Sequence, residues 1–208
     1  MKILGRANSI NVQKVLWAAD ECGLKYERSD IGGPFGGNDQ PWYRALNPNG
    51  LVPTIDDDGF VLWESNAIVR YLTASYGPAG LCPIDRKAQA LADRWMDWLI
   101  TTPQAGMTIM FWGLIRTPAD KRDAAAIEAA RLATAPLWAR LDAHLATHAY
   151  VGGDHFTMGD IPVGAMAYRW LNLPLRRDDL PKLVHLEAWY AKLGERPAYR
   201  KHVMIEMT

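Results

Sequence analysis

The clearest helical pattern near the start of the chain lies within its first 25 residues. Apolar residues recur at intervals of three and four from Val12 to Ala19, as they do on one face of a helix. Asn8 or Ser9 is suited to cap the start of this helix. Gly23 is suited to end it, because glycine readily adopts the left-handed conformation of a C-terminal cap. The pattern therefore predicts one amphipathic helix.

Short apolar runs on either side of this helix predict strands. They lie at Lys2–Leu4, Tyr26–Ile31, Thr54–Asp56 and Phe60–Trp63. The turn Asp57-Asp58-Gly59 joins the last two as a hairpin, and a helix is predicted from Ser65 to about Tyr76. The order βαβ and then ββα implies a parallel pair and an antiparallel pair of strands. We therefore expect an α/β domain with a mixed sheet, which resembles the thioredoxin-like fold.

The rest of the chain reads as helical after a cluster of glycine and proline at Gly77–Pro83. Amphipathic patterns lie at Arg86–Ile100, Asp120–His148, Ile161–Trp170 and Lys182–Gly194. Pro103 is expected to break the helical run, and a strongly apolar stretch follows it. We therefore predict an α/β domain at residues 1–78, a linker at 79–85 and an all-helical domain at 86–208.

Composition excludes several classes of partner. The 208 residues contain 23 Lys and Arg against 23 Asp and Glu, so nothing indicates nucleic acid or an anionic membrane surface. No apolar run approaches the roughly 20 residues that span a bilayer. Cys22 and Cys82 do not form a C-x-x-C redox pair, and two scattered cysteines are typical of a reducing compartment. With no signal-peptide pattern, we expect a cytoplasmic protein.

Two features in the middle of the chain are suited to hold a small peptide-like anion. Val52-Pro53 lies just before the third strand, where an X-Pro bond is a candidate for the cis form. The N–H and C=O of Val52 are then free to pair with an extended ligand. Ser65 follows the fourth strand and is predicted to cap a helix whose N-terminal dipole favours a bound carboxylate.

Together these features resemble the glutathione-binding half of the cytosolic glutathione transferases. In that family an N-P-x-G-x-V-P-x-I segment precedes an E-S-x-A-I helix start, as residues 47–55 and 64–68 do here. The resemblance implies that Val52, beside Pro53, pairs with the cysteinyl backbone of glutathione. It also implies that Glu64 and Ser65 hold the amino and carboxylate ends of the γ-glutamyl group.

The resemblance extends to the second half of the chain, with two departures. Thr157–Asp160 has the spacing of a capping box and resembles the one in the family's helical C-terminal domain. Some serine-type relatives carry His at the position of Gly50 and Arg at that of Asn66, and both are missing here. The glycyl carboxylate of glutathione must then find other partners. The candidates are Gln40, Trp42 and Arg6.

Glutathione chemistry requires a thiolate, because the thiol is a weak nucleophile. A hydroxyl donor at a helix N-terminus stabilises that anion through a hydrogen bond and the helix dipole. In serine-type members a serine in the loop before the first helix donates to the sulfur, which here implies Ser9, with Asn11 as the alternate donor. The alternative is that Ser9 serves only as an N-cap.

The second substrate is expected between the two domains, where apolar pockets commonly form. The candidate residues are Met107, Met110, Phe111 and Trp112, with Arg116 at the polar edge. The alternative for each of these residues is a plain place in the core, because methionine and aromatic residues at helical spacing are usually core residues.

Taken together, the sequence predicts a glutathione transferase involved in detoxification, with glutathione as co-substrate and a small electrophile as the second substrate. No metal or organic cofactor is implied. The resemblance implies a homodimer. The alternatives are a glutathione-dependent reductase or isomerase, which the missing N-terminal cysteine disfavours, and a non-catalytic protein that binds glutathione or another ligand.

Overall fold

Four short strands form one mixed sheet in the order β2-β1-β3-β4 in the computed structural model, which describes residues 1–208. The strands are β1 (Lys2–Leu4), β2 (Glu27–Ser29), β3 (Thr54–Asp57) and β4 (Phe60–Trp63). β1 runs parallel to β2 and antiparallel to β3, and β3 forms a hairpin with β4. The predicted mixed sheet is confirmed. β2 is shorter than predicted because it lies at the sheet edge and its one partner, β1, has three residues.

Helix α1 (Ile10–Glu21) crosses from β1 to β2 and ends as predicted. Cys22 is its C-cap, and Gly23 follows in the left-handed region with φ +66°. The helix is buried on more than one face, because it packs against helices on both sides of the sequence boundary predicted at residues 79–85. Its N-terminus therefore points to the place where the two halves of the molecule meet.

Two further details of the first half differ from the prediction. A short helix, α2 (Pro41–Leu46), lies in a stretch for which no element was predicted. Helix α3 (Ser65–Tyr76) starts at Ser65 itself, so the prediction of Ser65 as the N-cap is wrong. The N-cap is Glu64, which adopts φ +71° and turns the chain sharply out of β4. A positive φ is strained for a non-glycine residue, and such strain is concentrated at functional sites.

The second half of the chain is helical, as predicted. The helices are α4 (Arg86–Thr101), α5 (Gln104–Phe111), α6 (Ala124–Leu145), α7 (Asp160–Asn172), α8 (Val184–Gly194) and α9 (Pro197–His202). Pro103 separates α4 from α5, and the π-helical turn Trp112–Arg116 extends α5. None of the helices combines the length and apolar character needed to cross a bilayer.

Helix α6 begins later than predicted. Residues 119–121 form a separate 3-10 turn, and Asp123 caps α6 by accepting a hydrogen bond from the Ala126 N–H at 2.9 Å. The helix ends at Leu145 rather than at His148. The predicted single helix over Asp120–His148 was wrong at both ends, because several polar residues near each end are suited to capping and the pattern alone does not choose among them.

A close contact between Trp17 and Gly164 joins α1 to α7. Trp17 is fully buried, and its ring centroid lies 4.6 Å from that of Tyr199. A Cβ placed on Gly164 would lie 3.0 Å from the Trp17 ring and 2.6 Å from Leu193. The absence of a side chain at residue 164 therefore lets the two helices approach each other.

The buried carboxylate of Asp160 holds the start of α7 in place. It accepts hydrogen bonds from the Val151 N–H at 3.0 Å, the Thr157 N–H at 2.9 Å and the Trp189 indole N–H at 2.9 Å. The hydrogen bond from the Thr157 N–H to the Asp160 carboxylate is one of the two bonds of the predicted capping box. One side chain thus satisfies donors from the preceding loop and from α8.

We expect Asp160→Ala to lower the free energy of unfolding by about 3 kcal/mol, because it leaves several buried N–H donors without an acceptor. Urea denaturation followed by far-ultraviolet circular dichroism measures the change. Asp154→Ala is the matched control, since Asp154 is exposed in the same loop. Equal midpoints for the two variants would contradict a structural role for the Asp160 carboxylate.

Candidate functional site

A cavity of about 160 Å³ lies where the N-terminus of α1 meets the helical half of the chain. The loop after β1 and the first turn of α1 contribute Arg6, Asn8, Ser9, Ile10 and Asn11. The opposite wall is formed by α5, its π-helical extension and α7, through Gln104, Met107, Thr108, Phe111, Trp112, Arg116, Met166 and Arg169. Both predicted thiolate donors and four of the five predicted residues of the electrophile pocket therefore line one cavity. The fifth, Met110, is fully buried and does not line it.

Ser9 has the backbone conformation of an N-cap but makes no capping hydrogen bond. Its φ and ψ are −82° and 124°, and its side chain is largely buried against the cavity. The hydroxyl is therefore free to donate to a group bound in the cavity. A capping role alone does not account for the serine at this position.

Asn11 is held in one orientation by two donors. Its Oδ1 accepts from the Lys14 Nζ at 2.9 Å and from the Ser65 Oγ at 3.3 Å. Because the oxygen is engaged, the amide presents its Nδ2 donor to other partners. The bond to Ser65 also connects the first turn of α1 to the first turn of α3.

Lys14 is a buried cation next to this network. Burial is the main reason that the pKa of Lys14 falls to about 8, and the nearby Arg169 guanidinium lowers it further, whereas Glu64 acts in the opposite direction. The ammonium group contacts the Asn11 oxygen and lies among other cations. The region around the N-terminus of α1 is therefore rich in positive charge.

Three of the predicted glutathione-binding residues outside the cavity, Val52, Pro53 and Glu64, lie with Ser65 at one end of the sheet, where β3 begins and β4 ends. The Val52–Pro53 peptide bond is cis, as predicted, and Pro53 is buried. No hydrogen bond within the chain engages the backbone N–H or C=O of Val52. Glu64 is exposed and forms no ion pair, while Ser65 is buried against Asn11.

The two positions at which this sequence departs from serine-type relatives have structural explanations. Gly50 has φ +62°, and a Cβ there would lie 3.0 Å from the Asn38 carbonyl oxygen, so a histidine does not fit without rearrangement. Asn66 donates to the Met96 carbonyl at 3.0 Å and so contacts α4. The Gln40 side chain is exposed and contacts Asp39, away from the lining of the cavity.

Neither cysteine belongs to the cavity lining. Both are free thiols, and burial raises the pKa of Cys22 to about 11. Burial also raises the pKa of Cys82. No group of three or more His, Cys, Asp or Glu side chains is suited to bind a metal ion. A second cavity of about 180 Å³, beside Trp170 and Leu183, contains neither of the predicted thiolate donors.

Sequence reasoning missed the contribution of α7 to the site. Arg169 lines the cavity, and its guanidinium carbon lies 3.7 Å from the centroid of the Phe111 ring. Met166 from the same helix and Gln104 and Thr108 from α5 were also missed. Polar residues on a helix give no signal of what they face, because only the packing of α7 against α1 and α5 brings Arg169 to Ser9.

Comparisons with known proteins identify both halves of the chain. Residues 8–75 match the model of the glutathione S-transferase N-terminal domain, and residues 124–192 match that of the C-terminal domain. The chain is 44% identical to glutathione S-transferase GstB of Escherichia coli K12 over 206 residues, 98% of each protein. It is 30% identical to glutathione S-transferase 3 of Zea mays, covering 98% of this chain and 93% of that protein.

A similar crystal structure has also been solved. It is the theta class glutathione S-transferase of the citrus canker pathogen Xanthomonas axonopodis pv. citri with glutathione bound. The TM-score is 0.95 at 52% sequence identity, with 100% of this chain and 98% of the other covered.

The lowered pKa of Lys14 predicts a pH dependence of stability. The folded pKa of about 8 lies below the ordinary value of 10.5, so between these pH values the unfolded chain holds more protons at this position. The free energy of unfolding therefore rises with pH in that window, by roughly 1 kcal/mol per pH unit relative to Lys14→Met. Urea denaturation from pH 7 to 10 measures the free energy of unfolding of the wild type and of Lys14→Met. Lys25→Met, at an exposed lysine, is the control. Parallel profiles for the wild type and Lys14→Met would contradict it.

Proposed function

The chain belongs to the cytosolic glutathione S-transferase family, and we propose that it binds glutathione, stabilises its thiolate and directs it at a small electrophile. The observation that carries this proposal is the shared cavity, in which the unpaired Ser9 hydroxyl and the oriented Asn11 amide face the apolar wall formed by Met107 and Phe111. A nucleophile held at the first pair lies next to a substrate held against the second. The relatives' names and the glutathione bound to the Xanthomonas structure support the choice of co-substrate.

Glutathione is proposed to lie across the end of the sheet where β3 begins and β4 ends, with its sulfur in the cavity. The free N–H and C=O of Val52, beside Pro53, pair with the cysteinyl backbone as an added strand would. Ser65 and the N-terminus of α3 hold the γ-glutamyl carboxylate, and the unpaired Glu64 carboxylate holds the amino group. Gln40 is proposed as one partner for the glycyl carboxylate, with Trp42 and Arg6 as the other candidates.

The thiolate is the species that this site must stabilise. A free thiol has a pKa near 8.5, and lowering it by roughly two units requires about 2.7 kcal/mol of additional stabilisation of the anion. A charge-assisted hydrogen bond from Ser9, together with the N-terminal dipole of α1, supplies interactions of that size. We propose a serine-type site with Ser9 as principal donor and Asn11 as the second. The thiolate then attacks the electrophile, and the protein contributes orientation.

The two alternative functions make different demands on the chain. A reductase would use a cysteine near the glutathione sulfur, but Cys22 and Cys82 lie outside the cavity and burial raises the pKa of each. A carrier would need the glutathione-binding residues but no thiolate donor, so the protonation state of the bound sulfur distinguishes a carrier from a transferase.

The remaining assignments follow family membership. We propose a cytoplasmic homodimer that acts in detoxification, with a glutathione-binding domain at residues 1–78, a linker at 79–85 and a helical domain at 86–208. Met107, Phe111, Trp112 and Arg116 are proposed to line the electrophile pocket.

We expect Ser9→Ala to raise the pKa of the bound glutathione thiol by about one to two units and to lower kcat roughly tenfold or more, with KM for glutathione nearly unchanged. Thiolate absorbance against pH and steady-state kinetics with 1-chloro-2,4-dinitrobenzene measure both effects. Ser75→Ala, at an exposed serine of α3, is the matched control.

Ser65→Ala is expected to weaken binding of glutathione in calorimetric titration.

Full turnover and an unchanged thiol pKa in Ser9→Ala would remove Ser9 from the mechanism, and Asn11→Ala would then be the variant to test. Saturable binding of glutathione by the wild type without any lowering of the thiol pKa would favour the carrier. Absence of binding would contradict the whole proposal.

The homodimer is tested by light scattering coupled to size-exclusion chromatography. The chain has a mass of 23.3 kDa, and we expect a single species of twice that mass at micromolar concentration. Family membership supports this expectation, and twofold dimers are the most common soluble oligomers. A species with the mass of one chain would contradict it.

A further inference from the structure

Three arginines that line the cavity have no acidic partner. Arg6, Arg116 and Arg169 form no ion pair, and none of the 13 residues that line the cavity is acidic. Most other partly or fully buried arginines are paired: Arg131 contacts Glu128 and Asp179, and Arg196 contacts Glu21. Arg177 is half-buried without an acidic partner, but it donates to backbone carbonyls. The cavity is therefore the place in this molecule where several guanidinium groups are left unneutralised.

Their hydrogen-bonding capacity is also unused. The Nε atoms of Arg6 and Arg116 are buried and have no hydrogen-bond partner. Burial lowers the pKa of Arg169, and the neighbouring guanidiniums of Arg116 and Arg6 lower it further. Unpaired donors and repulsion between like charges both cost free energy, and a bound anion would relieve both. A carboxylate or another planar oxyanion matches the fork of N–H donors on a guanidinium.

The position of two of these arginines indicates which substrate carries the anion. Arg116 and Arg169 come from the helical wall, where their guanidinium carbons lie 5.5 and 3.7 Å from the centroid of the Phe111 ring. Arg6 comes from the opposite side and packs over Gly33. It is among the candidates for the glycyl carboxylate of glutathione. The pair on the helical wall therefore faces the second substrate.

We propose, building on the transferase function proposed above, that this enzyme selects small electrophiles that carry a carboxylate, and that Arg116 and Arg169 bind that carboxylate while Phe111 contacts the apolar part. The carboxylate stays unchanged in the reaction. The glutathione sulfur forms a bond to the substrate carbon that bears a halide, the carbon–halogen bond breaks, and halide ion leaves with the electron pair. Arg116 and Arg169 are thus specificity-determining residues that position the substrate.

A matched pair of substrates tests the proposal. 4-Chloro-3-nitrobenzoate and 4-chloro-3-nitrobenzamide have nearly the same shape and differ in charge. For each, kcat/KM is divided by the uncatalysed rate constant with glutathione, which removes the difference in intrinsic reactivity. We expect the wild type to favour the benzoate about tenfold or more, the range of a hydrogen bond to a charged group.

Arg116→Gln and Arg169→Gln are each expected to lower this preference about tenfold, with KM for glutathione unchanged. Arg86→Gln, at an exposed arginine of α4, is the control and should keep it. In the unmodified protein, benzoate should inhibit competitively against the electrophile while benzamide does not. That measurement needs no variant to fold.

Three results would overturn the proposal. Equal loss of activity toward both substrates would mean that the arginines act on the thiolate. A higher KM for glutathione in Arg116→Gln and Arg169→Gln would mean that they bind the tripeptide's own carboxylate. No preference for the benzoate by the wild type would mean that the cavity does not select by charge. Failure of the transferase function is distinguishable, because the neutral benzamide would then also be unreactive and no thiolate would form.

Discussion

The packing of Trp17 against Gly164 fixes how α1 lies against α7, and the site depends on that contact. A side chain at residue 164 would collide with the indole and with Leu193, so the two helices approach this closely because glycine is there. The same helix α1 presents Ser9 and Asn11 at its N-terminus, and the same helix α7 carries Arg169 little more than one turn beyond Gly164. A buried contact outside the cavity lining therefore helps to set the distance between the proposed thiolate donors and the guanidinium of Arg169.

Positive charge is the second organising property of the region. Lys14, Arg6, Arg116 and Arg169 surround the start of α1, and burial lowers the pKa of three of them: Lys14, Arg6 and Arg169. Most buried or half-buried guanidiniums outside the cavity contact a carboxylate, as Arg131 contacts Asp179 at 2.8 Å. A stability-driven sequence would be expected to pair these charges or replace them with apolar residues. The absence of carboxylate partners for these four cations therefore favours a region adapted to bind anions.

The sequence predicted the parts of the structure that depend on local pattern. The α1 helix, the β3–β4 hairpin and the end of α3 follow from apolar periodicity, turn residues and glycine at the C-cap. α2 was missed because it has six residues and one buried side chain, too few to give a periodic signal. Ser65 was assigned as a cap because serine is a good one, whereas the strained backbone of Glu64 that displaces it is a property of the β4–α3 corner.

The candidate site shows the same division between local and long-range information. Resemblance to a family predicted roles for Ser9, Val52 and Ser65, and an apolar run predicted a pocket wall at Met107 and Phe111. The place of Arg169 in the cavity could not be predicted, because Arg169 lies 160 residues from Ser9 and only the packing of α7 brings them together. The orientation of the Asn11 side chain could not be predicted either, since it depends on hydrogen bonds from Lys14 and from Ser65 on another helix.

Charge balance connects the two proposed properties of the site. A bound thiolate adds one negative charge to a region that holds several unneutralised cations. The net charge of the cavity then still favours binding of a second anion. In a neutral cavity the thiolate would repel a carboxylate-bearing substrate and the pair would bind weakly, since like charges a few ångströms apart and shielded from water repel strongly. With guanidiniums on the far wall, the same carboxylate is attracted there, and the substrate carbon is turned toward the sulfur. In this proposal the donors that stabilise the nucleophile at the start of α1 and the guanidiniums that orient the electrophile lie on opposite sides of one cavity.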